Sequence, residues 1–228
     1  MSNNDWILKA EDIRREFRLP DSSLKVLKGI SFSLSKGEML AISGESGVGK
    51  STLLHLLGGL DHPTSGKIQI DGTYLGDQSE ERLAHFRNQN IGFVFQFHYL
   101  MEDFSALENV MIPMLVNGKK QREAEDQGEL LLELVGLSDR KSHRPNQLSG
   151  GEQQRVAVAR ALANEPKIVL ADEPSGNLDT ATGHRLHDLL FTLNRDRATT
   201  FLIATHNKEL AHGCHSQFEI VDGRICEH

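Results

Sequence analysis

The chain has 228 residues, 38% hydrophobic and 25% charged, with a formal net charge of -7. That length supports one large core, and the acidic balance excludes a nucleic-acid partner held by bulk electrostatics. No apolar run approaches the roughly 18 residues of a membrane-spanning helix, and the first residues carry no basic-then-apolar leader pattern, so a cytoplasmic location is expected.

Residues 7–17 and 26–34 read as strands, with the turn expected over 20–23. Phe17, an aromatic near the end of the first strand, is open to two roles: core packing or stacking on a base. Residues 39–43 are a short apolar strand, and the segment after it is the most informative in the chain. Gly44, Glu45, Ser46, Gly47, Val48, Gly49, Lys50, Ser51 and Thr52 match G-x-x-x-x-G-K-[ST]. Glycines let the backbone curl so that amide N–H groups converge on phosphates; Lys50 adds a point charge and Ser51 a hydroxyl for a divalent cation. Residues 51–57 continue as a helix that Gly58 and Gly59 stop.

Residues 67–72 alternate like a strand ending in an Asp-Gly turn, 79–90 read as a short exposed helix, and 91–95 as a buried strand that delivers Gln96. From 96 to 164 helical spacing replaces strand runs, and an inserted helical lobe is expected. Leu130, Leu131, Leu134 and Leu137 recur at helical intervals, a second helix is predicted over 152–163 after a Gly-Gly pair, and the basic 119–122 reads as a solvated loop. Strand character returns at 167–172, closing on Asp172 and Glu173. A helix marked by Leu186, Leu189, Leu190 and Leu193 follows, then a strand over 200–205 with His206 at its end, then a hairpin around Asp222-Gly223. His206, His212, Cys214 and His215 lie close in sequence, but their spacing fits no standard metal-ligand pattern. The two cysteines, Cys214 and Cys226, form no C-x-x-C pair and no disulfide framework.

Strands alternating with helices predict an α/β fold with a mainly parallel sheet, whose ligands bind beyond the carboxyl ends of the strands. Gln96, Asp172, Glu173 and His206 all fall at such ends. A carboxylate after four apolar residues, placed beside a phosphate loop, suits Mg²⁺; the next carboxylate can orient and deprotonate a water. Phosphoryl transfer is then the expected chemistry, since it needs positioning and charge neutralisation more than covalent help.

Residues 148–155, Leu-Ser-Gly-Gly-Glu-Gln-Gln-Arg, narrow the class. With them the chain resembles the ATP-binding cassette (ABC) ATPases over nearly all its length. The resemblance implies a P-loop NTPase (RecA-like) core from 1–95 and 165–228, with an N-terminal antiparallel β part and a helical subdomain at 96–164. It implies ATP and Mg²⁺ as cofactors, with Phe17 stacking on adenine and Ser51, Gln96 and Asp172 serving the metal. Glu173, His206, Gln96 and Lys50 would carry catalysis, residues 175–179 would form the D-loop, and Ser149, Gly150 and Gly151 would cap the γ-phosphate held by an opposite subunit. A homodimer is therefore expected, joined to integral membrane subunits at the cytoplasmic face of a bacterial inner membrane.

Four further strings, 53–61, 96–98, 103–109 and 143–145, are similar to the cassettes of lipoprotein-releasing systems, while macrolide-exporter and cell-division cassettes share much of them. Asn207 departs from the family, where Asp usually follows the switch histidine, and is expected to tune the turn there. Asn207-Lys208 begins a guanine-reading N-K-x-D, but Leu210 replaces its Asp, so nothing there accepts guanine's donors. Ribosome- or DNA-directed cassettes need a second cassette or long insertions that do not fit this length. Finally, Phe97, Tyr99, Leu100, Met101, Phe104 and Leu107 cluster after Gln96, either as core of the helical lobe or as a groove for a partner helix.

Overall fold

The computed structural model describes residues 6–20 and 22–226. Position 21, in the middle of the turn expected over 20–23, lies outside the described residues, as do the five N-terminal residues and the last two.

Among the described residues the strands form two sheets. In the first, β1 (Trp6–Leu19) pairs antiparallel with β2 (Ser22–Ser35) and with β4 (Ser65–Ile70), and β4 turns at Asp71-Gly72 into the short β5 (Thr73–Tyr74). The second runs β10-β9-β3-β8-β7-β6, from β10 (Arg224–Cys226), β9 (Ser216–Val221), β3 (Met39–Ser43), β8 (Phe201–Ala204), β7 (Ile168–Asp172) and β6 (Ile91–Val94). Its strands are parallel except β10, which closes a hairpin with β9.

Strand side chains alternate between faces, and the two faces of this sheet feed two cores. Ile168, Leu170, Leu202 and Ala204 pack with the antiparallel sheet and with helix α1 (Lys50–Leu57). Val169, Ala171, Phe201 and Ile203 face the other way, toward α3 (Ala106–Val116), α4 (Gln121–Leu134), α5 (Gly150–Ala161) and α6 (Thr180–Arg197). The remaining helices are α2 (Glu80–Asn90), before β6, and the single turn α7 (Lys208–His212).

Except at α1 and α4, the described α-helices start after side chains that accept from free N–H groups. Ser79, Ser105, Ser149, Asp179 and Asn207 open α2, α3, α5, α6 and α7, and at Ser105 and Ser149 a glutamate three residues on completes a capping box. That box corrects one expectation: α5 starts at Gly150 rather than 152, because Ser149 holds both glycines in its first turn. Gln121 and Arg122, expected in a loop, form the first turn of α4. Leu137 lies beyond the same helix, whose end is a Schellman motif: Gly136 N–H donates to Glu133 O (2.9 Å) and Leu137 N–H to Leu132 O (2.8 Å). Leu137 is buried there, so its helical spacing reflects the cap contact.

Candidate phosphate-binding site

The loop between β3 and α1 is built from conformations that favour glycine. Gly44 and Gly49 have φ of 140° and 111°, and a Cβ on Gly44 would lie 2.6 Å from Ile220 O of the neighbouring strand. Gly49 ends the loop and Lys50 starts α1, so the helix N-terminus points its free N–H groups into the concavity. Lys50 is 7% exposed; its Nζ donates to Gly44 O (2.8 Å) and Glu45 O (3.0 Å) and lies 3.8 Å from Glu173 Oε1.

Around this loop is an open cleft of about 510 Å³ lined by Gly44, Glu45, Ser46, Gly47, Gly49, Lys50, Ser51, Thr52, Gln96, Glu173 and His206. Residues more than 150 positions apart are thus brought together by the parallel register of β3, β8 and β7. Val48 turns its side chain to the core beside the loop instead. Phe17 is not among the lining residues; its ring carries the Arg15 guanidinium at 4.5 Å. Ser149, Gly150 and Gly151 stand at the head of α5 and do not line the cleft either.

Asp172 ends β7 with its Oδ1 buried and without a hydrogen-bond partner. Burial pushes its carboxyl above the ordinary range, while the Ser51 hydroxyl, bonded to it, pulls the other way. An orphaned buried carboxylate oxygen beside a hydroxyl is the donor set a hard divalent cation takes. Glu173 follows with φ 45°, its N–H donating to Ala204 O (2.8 Å). Its side chain, largely buried, is held from the next strand: Oε2 accepts from Thr205 Oγ1 (3.3 Å) and from His206 N–H (3.2 Å), and His206 Nδ1 lies at 2.9 Å. Asn207 N–H donates to Thr205 Oγ1 (3.0 Å), while its Oδ1 accepts from Leu210 N–H (2.9 Å), so the departure at 207 serves as the cap of α7.

Three residues whose contacts the sequence did not disclose organise the surroundings. Gln154 of α5 donates to Phe95 O (2.8 Å), and Arg160 of the same helix donates to His98 O and Tyr99 O (both 2.7 Å). Together they pin the backbone on both sides of Gln96 to α5. The third is Asn177, paired with Gln96 itself. An arginine inside the apolar run Val156–Ala163 was the one signal available, since a charge there needs partners. Of the cluster after Gln96, Leu100 is buried and Leu107 packs against the core, whereas Phe97, Tyr99, Met101 and Phe104 are exposed.

Of the grouped residues near the C-terminus, His215 Nδ1 accepts from Met39 N–H (3.1 Å), and Cys214 Sγ donates to Leu210 O, burial pushing its thiol up to about 12. These two are thus tied to different elements, β3 and α7.

Residues 27–176 match the ABC transporter family. Among curated proteins, the lipoprotein-releasing system ATP-binding protein LolD of Porphyromonas gingivalis is 51% identical over 219 residues, covering 96% of this chain and 98% of that protein. The LolD of Syntrophus aciditrophicus is 48% identical over the same shares. Among solved structures, the dimeric post-hydrolysis state of the ATP-binding cassette MJ0796, bound to ADP and Pi, superposes with a TM-score of 0.89 at 36% identity, covering 96% of this chain and 97% of that one. CbiO1 of Clostridium perfringens, part of the ABC transporter complex cbiONQ, gives 0.87 at 31%, covering 98% and 88%. A phosphate loop, the Glu173 carboxylate and a histidine converging on one cleft, with these likenesses over nearly the whole chain, lead to one conclusion: the chain belongs to the ABC transporter family, as an ATP-binding cassette.

Proposed function

We propose that this chain is the ATP-hydrolysing subunit of a lipoprotein-releasing transporter. The observation that carries the reading is Glu173, held by Thr205 and His206 at the mouth of a cleft whose floor is Lys50 and the phosphate loop. A carboxylate so placed can take a proton from a water attacking the terminal phosphate. His206, bonded to it, fixes its direction. Lys50, parked on two loop carbonyls, is free to exchange them for phosphate oxygens, and the α1 N-terminus adds its N–H groups. Ser51, Asp172 and Gln96 would hold Mg²⁺, which when bound neutralises phosphate charge. Phe17, on the antiparallel sheet, is assigned to the adenine.

Ser149, Gly150 and Gly151 form a capped helix N-terminus suited to an anion yet stand outside the cleft, which supports completion of each site by a second copy. The reading is therefore a homodimer, as the dimeric MJ0796 cassette forms. No helix among the described residues is long and apolar enough to cross a membrane. In this reading, which rests on the likeness to LolD proteins, the chain works at the cytoplasmic face of the inner membrane, bound to LolC/LolE-like integral subunits. The strong likeness to LolD proteins supports lipoprotein release as the work performed. In this reading 96–164 acts as a helical subdomain carrying the family's signature segment, Leu148-Ser-Gly-Gly, and 1–95 with 165–228 as the nucleotide-binding core.

Glu173→Gln tests the chemistry. The amide keeps the shape but cannot take the proton, so hydrolysis should fall by about 10²- to 10⁴-fold while ATP still binds. Gel filtration should then show an ATP-dependent dimer. Turnover near that of the parent protein would remove Glu173 from the reaction. For the cargo, the chain reconstituted with its membrane subunits in liposomes should release an acylated lipoprotein only with ATP; release of a macrolide and not of lipoprotein would redirect the assignment.

A further inference from the structure

Gln96 and Asn177 are joined by two hydrogen bonds across 81 residues of sequence: Gln96 Nε2 donates to Asn177 Oδ1 (2.9 Å), and Asn177 Nδ2 donates to Gln96 O (3.2 Å). The pair is self-assigning. A backbone carbonyl can only accept, so the end of the Asn177 amide that faces Gln96 O must be its NH₂. Its other end is then the oxygen, which can only accept, so the end of Gln96 that meets it must also be NH₂. Gln96 Oε1 is left as the end not used by Asn177, on a side chain that lines the phosphate cleft. From this geometry we propose that Asn177 is a positioning residue that fixes which end of the Gln96 amide is offered to the nucleotide: the oxygen, which binds cations and the hydrogens of water, rather than the NH₂, which would face phosphate.

The turn that carries Asn177 is built to hold it. Gly176 N–H donates to Glu173 O (2.9 Å), Leu178 N–H donates to Ser175 O (3.1 Å), and Asp179 caps α6 immediately afterwards. A Cβ on Gly176 would come within 3.1 Å of Gln96 Nε2, so the glycine keeps the space into which the Gln96 amide lies. The turn begins at Glu173. Through it, the residue assigned to deprotonate water and the residue that holds Gln96 share one short piece of backbone.

The inference rests on the proposed role of Gln96 in hydrolysis, and the experiment separates the two. Gln96→Ala, Asn177→Ala and the double variant are compared for kcat and KM of ATP, for Mn²⁺ affinity in the presence of a non-hydrolysable ATP analogue, and for melting temperature. Asn177 is exposed, so its truncation leaves the core intact. One lost hydrogen bond corresponds to about a three- to tenfold effect. Asn177→Ala should lower kcat and Mn²⁺ affinity by that factor, with KM changed less than about twofold and the melting temperature retained. In the Gln96→Ala background the same change should do nothing further, because there is no amide left to orient. Asn177→Asp keeps an acceptor for Gln96 Nε2 but has no donor for Gln96 O, and should fall between the parent and Asn177→Ala. A parental kcat and Mn²⁺ affinity in Asn177→Ala, or losses that simply multiply in the double variant, would overturn the positioning role. A parental kcat in Gln96→Ala would instead remove the role of Gln96 on which it rests.

Discussion

Glu152 holds the head of α5 from two sides, through its own capping box and through Arg140. Its carboxylate accepts from Ser149 N–H (2.8 Å) and Ser149 Oγ (2.9 Å), and Arg140 Nε lies 3.0 Å away. The Ser149 N–H first, then the Arg140 guanidinium and the Ser149 hydroxyl, lower its pKa from 4.5 to about 2. A folded-state pKa below the unfolded value means that the stabilisation is complete above about 4.5 and is lost as pH falls toward about 2. Glu152→Ala should therefore cost about 1 kcal/mol at pH 7, a usual figure for a lost cap, and clearly less at pH 3. Denaturant titrations at the two pH values measure it; an equal cost at both would show that the carboxylate charge contributes nothing to the cap.

Residues differed in how far the sequence disclosed their place in the fold. Lys50 and Ser51 were legible because the phosphate loop is one contiguous stretch, with Lys50 bound to carbonyls five and six positions before it. Asp172 and Glu173 were legible because a carboxylate ending an apolar strand has few other uses. Asn177, Gln154 and Arg160 were not, since their partners lie 59 to 81 positions distant and depend on which strands the fold sets side by side.

At the scale of elements, the glycines of the signature are not equivalent. A Cβ on Gly151 would lie 2.2 Å from Thr182 Cγ2 of α6, whereas one on Gly150 meets only Leu178 Cδ2, at 3.7 Å. Gly151→Ala must push α5 from α6 and should cost about 1–3 kcal/mol, as overpacking does; Gly150→Ala should stay within about 0.5 kcal/mol, the usual range away from such crowding. Thermal melts of the two variants decide this, and equal costs would mean that α5 and α6 are less tightly apposed. The same asymmetry makes Gly150→Asp the cleaner way to put a charge at the proposed anion site, since a carboxylate at 151 would confound electrostatics with packing. The Gly-Gly pair marked a helix start in the sequence, but spacing alone could not say which of its members touches a neighbour, because α6 is supplied from residues beyond β7.

For the whole molecule, the exposed Phe97, Tyr99, Met101 and Phe104 form an apolar face next to Gln96. Tyr99 is 65% exposed and Met101 50%, so neither fills the core of the helical lobe. Under the reading of this face as the dock for a membrane subunit, Tyr99→Asp or Met101→Asp should leave melting temperature and ATP affinity unchanged but weaken capture of the detergent-solubilised membrane subunits by about tenfold or more, as loss of an aromatic anchor does. Unchanged capture by both variants would place the dock elsewhere.

The bonds from Gln154 and Arg160 to Phe95, His98 and Tyr99 tie one residue of that face, Tyr99, and its neighbours to α5, which can then serve as a lever. From Arg160 to Gly150 the helix runs about 15 Å, so a push that tilts the arm by about 10° displaces its far tip by about 2.6 Å. That travel exceeds the difference between a made hydrogen bond and none. A partner leaning on Tyr99 would therefore gain leverage over Ser149 at the opposite end of α5, without any contact of its own there.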